Sequence, residues 1–110
     1  MTGDFNETPQ GPCLLVLLEN PKIQNAGGPV WSEFTTHKSR EGKMTTRCID
    51  YQFYFAEKPN GRRIGGTQKI TGVTGTYELP QRSSLPKKGF PSVNHPSDHL
   101  ALGYQYTFKK

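Results

Sequence analysis

The sequence predicts an α+β domain of mostly antiparallel strands with one short N-terminal helix. Three observations carry this. A single apolar run, Cys13 to Leu18, follows a proline-rich entry; alternating aromatic and polar residues run from Arg47 to Phe55; and a second alternation closes the chain. The 110 residues are enough for one domain and for one modest core.

Taken in order, Thr8 and Pro9 suit an N-cap and a first helical residue. Pro12 has no amide to bond back to such a cap, which makes Gly11-Pro12 the alternative start. The helix is expected to be buried and to end near Asn20-Pro21. Residues 20–30 carry the Pro, Asn and Gly density of a loop, and Trp31 to Thr36 has the aromatic and β-branched content of a short strand. Its polar continuation, His37 to Lys43, is expected to be exposed. From Arg47 to Phe55, Ile49, Tyr51, Phe53 and Phe55 fall on one face, with Cys48, Asp50, Gln52 and Tyr54 on the other. Lys58 to Gly66 reads as a turn or excursion, and Lys69 to Leu79 as a strand interrupted by Gly72 and Gly75. Pro80 to Pro96, with four prolines, reads as an extended surface loop. It leads to a last strand with Leu100, Leu102, Tyr104, Tyr106 and Phe108 on one face.

Only 32% of the residues are hydrophobic, yet one Trp, five Tyr and six Phe argue against wholesale disorder. A formal net charge of +5 favours polyanionic partners, although the basic residues are scattered and equally fit a solvated surface. Cys13 and Cys48 form no CxxC pair, so a disulfide framework or zinc site is not expected and a reducing, cytoplasmic compartment fits. No stretch is long and apolar enough to span a bilayer, and no membrane partner is expected.

Three constellations carry chemistry: Asp4 and Asn6 in GDFN, Asp50 in IDY, and Asp98-His99 in SDH. Each alone has an ordinary explanation. Asp4 and Asn6 suit a turn, Asp50 a solvent-facing strand position, and Asp98-His99 a loop end. Together, Asp, Asn and His on converging strand ends supply what phosphoester cleavage needs: oxygen ligands for a divalent cation, a group that orients water, and donors to phosphoryl oxygens.

GDFN, IDYQFY and HPSDHLAL followed by a terminal strand, in this order, resemble the second half of the endonuclease/exonuclease/phosphatase superfamily. The deadenylase-like branch fits best. Within it, FTTHKSR followed by RCIDY, and FPSVNHPSDH, look most like the nocturnin-like group, and the resemblance runs essentially the length of the chain. It implies the C-terminal half of a two-sheet β-sandwich flanked by helices, residues 1–110 being a partial domain, and a Mg²⁺-dependent phosphoesterase, Mn²⁺ being the alternative metal. The substrate would be nucleotide or RNA: the 2′-phosphate of NADP(H), or the 3′ end of poly(A).

The resemblance assigns Asp4 to the attacking water or the leaving oxygen and to the metal, and Asn6 to the phosphoryl group or that water. His99 would contact the scissile phosphate, Asp50 would hold His99 in its tautomer, and Asp98 would help hold the metal. Lys38 and Arg40 would reach substrate phosphates, and Phe90 would stack on a base. The family's principal metal-binding Glu and an accompanying Asn belong to the other half of the domain. The chain is therefore expected to be a partial sequence, inactive or nearly so without that half, and to be cytoplasmic, mitochondrial being the alternative for a full-length parent. His37 and His95 have no assigned partner and are expected to be exposed. The competing reading is a non-catalytic basic RNA-binding module using Lys38, Arg40, Lys87 and Lys88.

Overall fold

A computed structural model describes residues 1–28, 31–55 and 69–109. The expected excursion Lys58 to Gly66 lies outside them. The elements are β1 (Thr2–Asp4), α1 (Pro12–Leu18), β2 (Ile23–Asn25), β3 (Thr36–Arg40), β4 (Lys43–Arg47), β5 (Asp50–Phe55), β6 (Lys69–Thr76), a 3₁₀ turn (Arg82–Ser84) and β7 (Tyr104–Lys109). The fold is α+β, and every described strand pairing is antiparallel.

α1 starts at Pro12 with Gly11 as its cap, as the missing amide of Pro12 requires. Gly11 has no side chain to cap the first turn. The Glu7 carboxylate does so from outside, its Oε2 accepting from the Leu14 amide at 2.9 Å. The glycine is needed for this, because a Cβ at position 11 would lie 1.9 Å from the Glu7 Cγ. The helix is less buried than its composition suggests. Leu14 is sealed, with Leu17 and Leu18 packed on the same core, while Leu15 and Val16 face outward at 54% and 67% exposure.

β5 is the centre of a three-stranded sheet ordered β1-β5-β2. Its first half pairs with β1, setting Asp4 opposite Asp50, and its second half pairs with β2. Tyr51 and Phe53 are buried as the alternation requires, packed with Leu14 and Cys48 under Phe5, Trp31 and Ile23. Two expectations fail at the ends of this segment. Cys48 is buried rather than facing away, because Cys48 and Ile49 form the corner before β5 and do not follow strand alternation. Phe55, at the strand's far end, is 44% exposed.

β3 and β4 form a hairpin with a two-residue turn, Glu41 and Gly42 both at positive φ (50° and 75°), the pair of conformations that matches strand twist. The strand anticipated over 31–36 thus lies later, at Thr36–Arg40. β6 and β7 form a second pair whose register shifts between Ile70 and Gly72 and between Val73 and Gly75, so the two glycines do interrupt the ladder. The final strand begins at Tyr104; Leu100 is buried ahead of it.

The 80–96 segment is not only a surface loop. Phe90 sits at 8% exposure with Phe34 and Leu100, flanked by Leu79 and Leu85. This packing folds the segment over β3 and buries His37, which was expected to be exposed. The Phe90 amide donates to the His37 carbonyl at 2.6 Å, and the His37 ring bridges Thr46 Oγ1 (2.8 Å) and the Pro86 carbonyl (3.2 Å).

Candidate functional site

The two-residue segment Thr35-Thr36 fixes three chain passages at one corner. Thr35, fully buried, accepts on Oγ1 from the amides of Ile49 (3.0 Å) and Asp50 (3.1 Å). Its own amide donates to the Arg47 carbonyl, and its carbonyl accepts from the Leu100 amide at 2.7 Å. Thr36 forms an isolated bridge with His99. The start of β5 and the segment carrying His99 are thereby pinned to the same two residues. Buried polar atoms must be paired, and here the pairing sets the spacing between Asp50 and His99.

His99 Nδ1 lies 3.0 Å and 2.9 Å from the two carboxylate oxygens of Asp50. A carboxylate only accepts, so Nδ1 carries the proton and Nε2 is the free nitrogen of the neutral ring. Nε2 faces two further carboxylates, at 3.7 Å from Asp4 Oδ2 and 3.8 Å from Asp98 Oδ1. The backbone of His99 is held from both sides: its amide donates to Ser97 Oγ (3.1 Å), and its carbonyl accepts from His95 Nε2 (2.9 Å). His95 is therefore a half-buried support, its ring 4.4 Å from that of Phe90, and not the free surface residue expected.

Asp4 reaches the site at the end of β1. Its Oδ1 accepts from the Asn6 amide at 2.7 Å, closing a tight turn in which Asn6 sits at φ 54°, a left-handed conformation that asparagine tolerates. The Phe5 amide donates to the Ile49 carbonyl, continuing the β1-β5 pairing into this turn. Like charges directly opposed on paired strands repel, so Asp4 facing Asp50 is an unfavourable pair in which the His99 ring is interposed.

Lys38 Nζ pairs with Asp98 Oδ2 at 2.5 Å, with side-chain exposures of 17% and 36%. This ammonium, first as a hydrogen-bond donor, holds the Asp98 carboxyl below the usual carboxylate range. Arg40 is exposed at the last position of β3 and makes no side-chain hydrogen bond or ion pair among the described residues. Phe90 does not offer a stacking face, because its ring is packed against Phe34, Leu100 and the His37 and His95 rings. Tyr51, expected in the core, is buried; its hydroxyl lies 2.7 Å from the Glu7 carbonyl and 2.8 Å from that of Cys48, and burial pushes its pKa up.

Asp4, Asp50, Asp98 and His99 thus come together with Lys38, while Asn6 joins through its backbone. Arg40 stands on the hairpin's exposed end, and Phe90 belongs to the core. Glu7, spent on α1, supplies no carboxylate here. Three supports escaped sequence reasoning: Thr35, His95 and Ser97. Only Ser97 carried a signal, a hydroxyl two residues ahead of the amide it bonds.

One candidate cation group combines Asp4, Asp50 and His99, whose ligand atoms all lie within 4.8 Å of one another. Asp50 and Nδ1 are occupied with each other, Asp98 Oδ2 with Lys38 and Asp4 Oδ1 with the Asn6 amide, so the carboxylate oxygens left for a hard cation are Asp4 Oδ2 and Asp98 Oδ1. Mg²⁺ binds through one or two carboxylates and keeps its remaining waters, which this donor set fits. A cleft of about 300 Å³ elsewhere, lined by Phe34, Tyr77, Leu79, Arg82 and Tyr104, includes none of these residues. No family model matches the chain, and no curated relative matches it.

Proposed function

We propose that these residues are part of the site of a Mg²⁺-dependent hydrolase that cleaves a phosphoester of a nucleotide or of RNA, as the resemblance to the endonuclease/exonuclease/phosphatase superfamily implies. The observation that carries the reading is the Asp50-His99 pair. A carboxylate on Nδ1 leaves Nε2 turned toward Asp4 and Asp98, in a cluster whose side chains stay partly exposed to solvent.

In this reading His99 donates from Nε2, when charged, to a phosphoryl oxygen, and Asp50 stabilises that imidazolium. Asp4 Oδ2 orients or deprotonates the attacking water, or protonates the leaving oxygen. The Asn6 side-chain amide holds the phosphoryl group. Asp4 and Asp98, directly or through water, hold Mg²⁺, which supplies charge neutralisation at the phosphoryl oxygens. The nucleotide is NADP(H), losing its 2′-phosphate, or poly(A), losing its 3′ residue, and the expected fold of the whole domain is the two-sheet sandwich. Turnover by residues 1–110 alone is low, because no glutamate among the described residues joins the cluster.

The test measures phosphate release from NADPH and nucleotide release from poly(A), each with and without Mg²⁺, on the chain together with the segment that completes its domain. The expected result is metal-dependent hydrolysis of one of the two, reduced about 10²- to 10⁴-fold by His99→Ala. Equal activity in the variant, or activity on neither substrate, refutes the reading.

A further inference from the structure

The cluster contains three carboxylates, Asp4, Asp50 and Asp98, against one ammonium, and that ammonium is already engaged by Asp98. As it stands, the site repels a phosphate and neutralises its own cationic side chain. We propose that the Lys38-Asp98 ion pair is a gate that couples cation binding to anion binding: a divalent cation takes the Asp98 carboxylate, and the released Lys38 ammonium becomes the anchor for a phosphate monoester or diester. This rests on the function proposed above and adds to it the order of binding and the residue that enforces it.

The geometry favours exchange over simple coexistence. Asp98 Oδ2 is bonded to Lys38, while Oδ1 stands 3.8 Å from His99 Nε2, outside hydrogen-bond reach, so Lys38 is the one close partner of this carboxylate and the group an arriving cation must displace. Lys38 lies on β3, whose backbone is fixed by its pairing with β4. Asp98 lies in the Ser97-His99 turn, whose far end is hung from Thr36 by the His99 bridge and from the Thr35 carbonyl by the Leu100 amide. Pairing elements so far apart in sequence makes the contact a property of the folded site. A cation and Lys38 compete for Asp98, and a phosphate and Asp98 compete for Lys38; binding of one ligand therefore strengthens binding of the other by mass action.

The test uses Mn²⁺ as a paramagnetic probe of the cation and inorganic phosphate as the anion, with far-UV circular dichroism confirming the fold of each variant. Lys38→Met, and separately Lys38→Gln, are expected to tighten Mn²⁺ binding about three- to tenfold, since the competitor for Asp98 is gone. In the Asp98→Asn background the same Lys38 substitutions leave Mn²⁺ affinity unchanged. Phosphate is expected to bind the wild-type chain only with Mg²⁺ present, and to bind Asp98→Asn without it. Mn²⁺ binding of equal strength in wild type and Lys38→Met overturns the gate while leaving the proposed cation site standing. An effect of Lys38 that persists undiminished in the Asp98→Asn background also overturns it, as that is a through-space field. No Mn²⁺ binding to either protein overturns the gate and the cation site together.

Discussion

Replacing Asp50 by asparagine separates what this carboxylate does for the fold from what it does for His99. The change is nearly isosteric, and it removes one charge from a bond in which both carboxylate oxygens stand 2.9–3.0 Å from Nδ1. A charge-assisted hydrogen bond contributes about 1.5–3 kcal/mol, reduced to roughly 1–2 kcal/mol here because both side chains keep partial contact with water, at 17% and 29% exposure. Against this, Asp50→Asn relieves the repulsion with Asp4 directly across the strand pair, about 0.2–1 kcal/mol. The net loss is about 1 kcal/mol, a melting temperature lower by ~4–8 °C for a domain of this size.

The larger effect is on the ring. An amide can donate to Nδ1 through its NH₂ group, so the neutral ring carries its proton on Nε2 in part of the population, and the imidazolium that would donate to a phosphoryl oxygen loses the charge that supports it. Long-range ¹H-¹⁵N correlation spectra of ¹⁵N-histidine-labelled protein read the tautomer directly and need no turnover. Wild type is expected to hold the Nδ1-protonated form, and Asp50→Asn a mixture. In an active assembly the rate falls by up to about 10⁴, the scale seen when a carboxylate orienting a catalytic imidazole becomes an amide. A wild-type ring already protonated on Nε2, or a tautomer unmoved by the substitution, refutes the reasoning. A drop in melting temperature beyond ~20 °C would instead mark Asp50 as chiefly structural.

Thr35→Val keeps the shape but strips the acceptor from two amides at a buried corner; thermal melting is expected to show a loss of about 2–4 kcal/mol, against near-neutrality if water replaces the hydroxyl. Phe90→Ala is expected to cost about 3–5 kcal/mol in urea unfolding, the signature of a core residue, and weaker nucleotide binding without loss of stability would contradict its packing. Gly11→Ala is expected to displace the Glu7 carboxylate from α1 and destabilise by about 1–2 kcal/mol, an effect that disappears in a Glu7→Ala background. Because Lys38 depresses the Asp98 carboxyl, its contribution is complete above the unfolded value near 3.8 and is lost as pH falls through the lower folded value; acid unfolding curves of wild type and Asp98→Asn should converge below that range.

Sequence periodicity located what depends on neighbours in the chain. The α1 start followed from the missing amide of Pro12, the β5 core face from the spacing of Tyr51 and Phe53, and the broken β6 ladder from Gly72 and Gly75. Pairings across long loops left no such trace. His37 is buried only because Phe90, distant in sequence, packs against its ring, and Lys38 is paired only because the Ser97-His99 turn returns to β3. Cys48 was misplaced because alternation holds within a strand and fails at a corner. The three residues of β2 are too few to display any period. At the site, motif order brought out Asp4, Asp50, Asp98 and His99, whereas Thr35 acts through a hydroxyl whose partners are all backbone and therefore invisible to residue patterns.

The opposed Asp4 and Asp50 have an evolutionary consequence. Two carboxylates facing one another across an antiparallel pair are a standing cost to the sheet, and either becoming neutral would relieve it. A library of this chain selected only for heat tolerance should therefore drift at position 4 early, enriching asparagine or threonine there before substitutions appear in the Leu14 core, while the bond to His99 holds Asp50. Selection that also demands function would hold both acids in place. The same strand pair would then report, by which residues survive, what the cell requires of the protein.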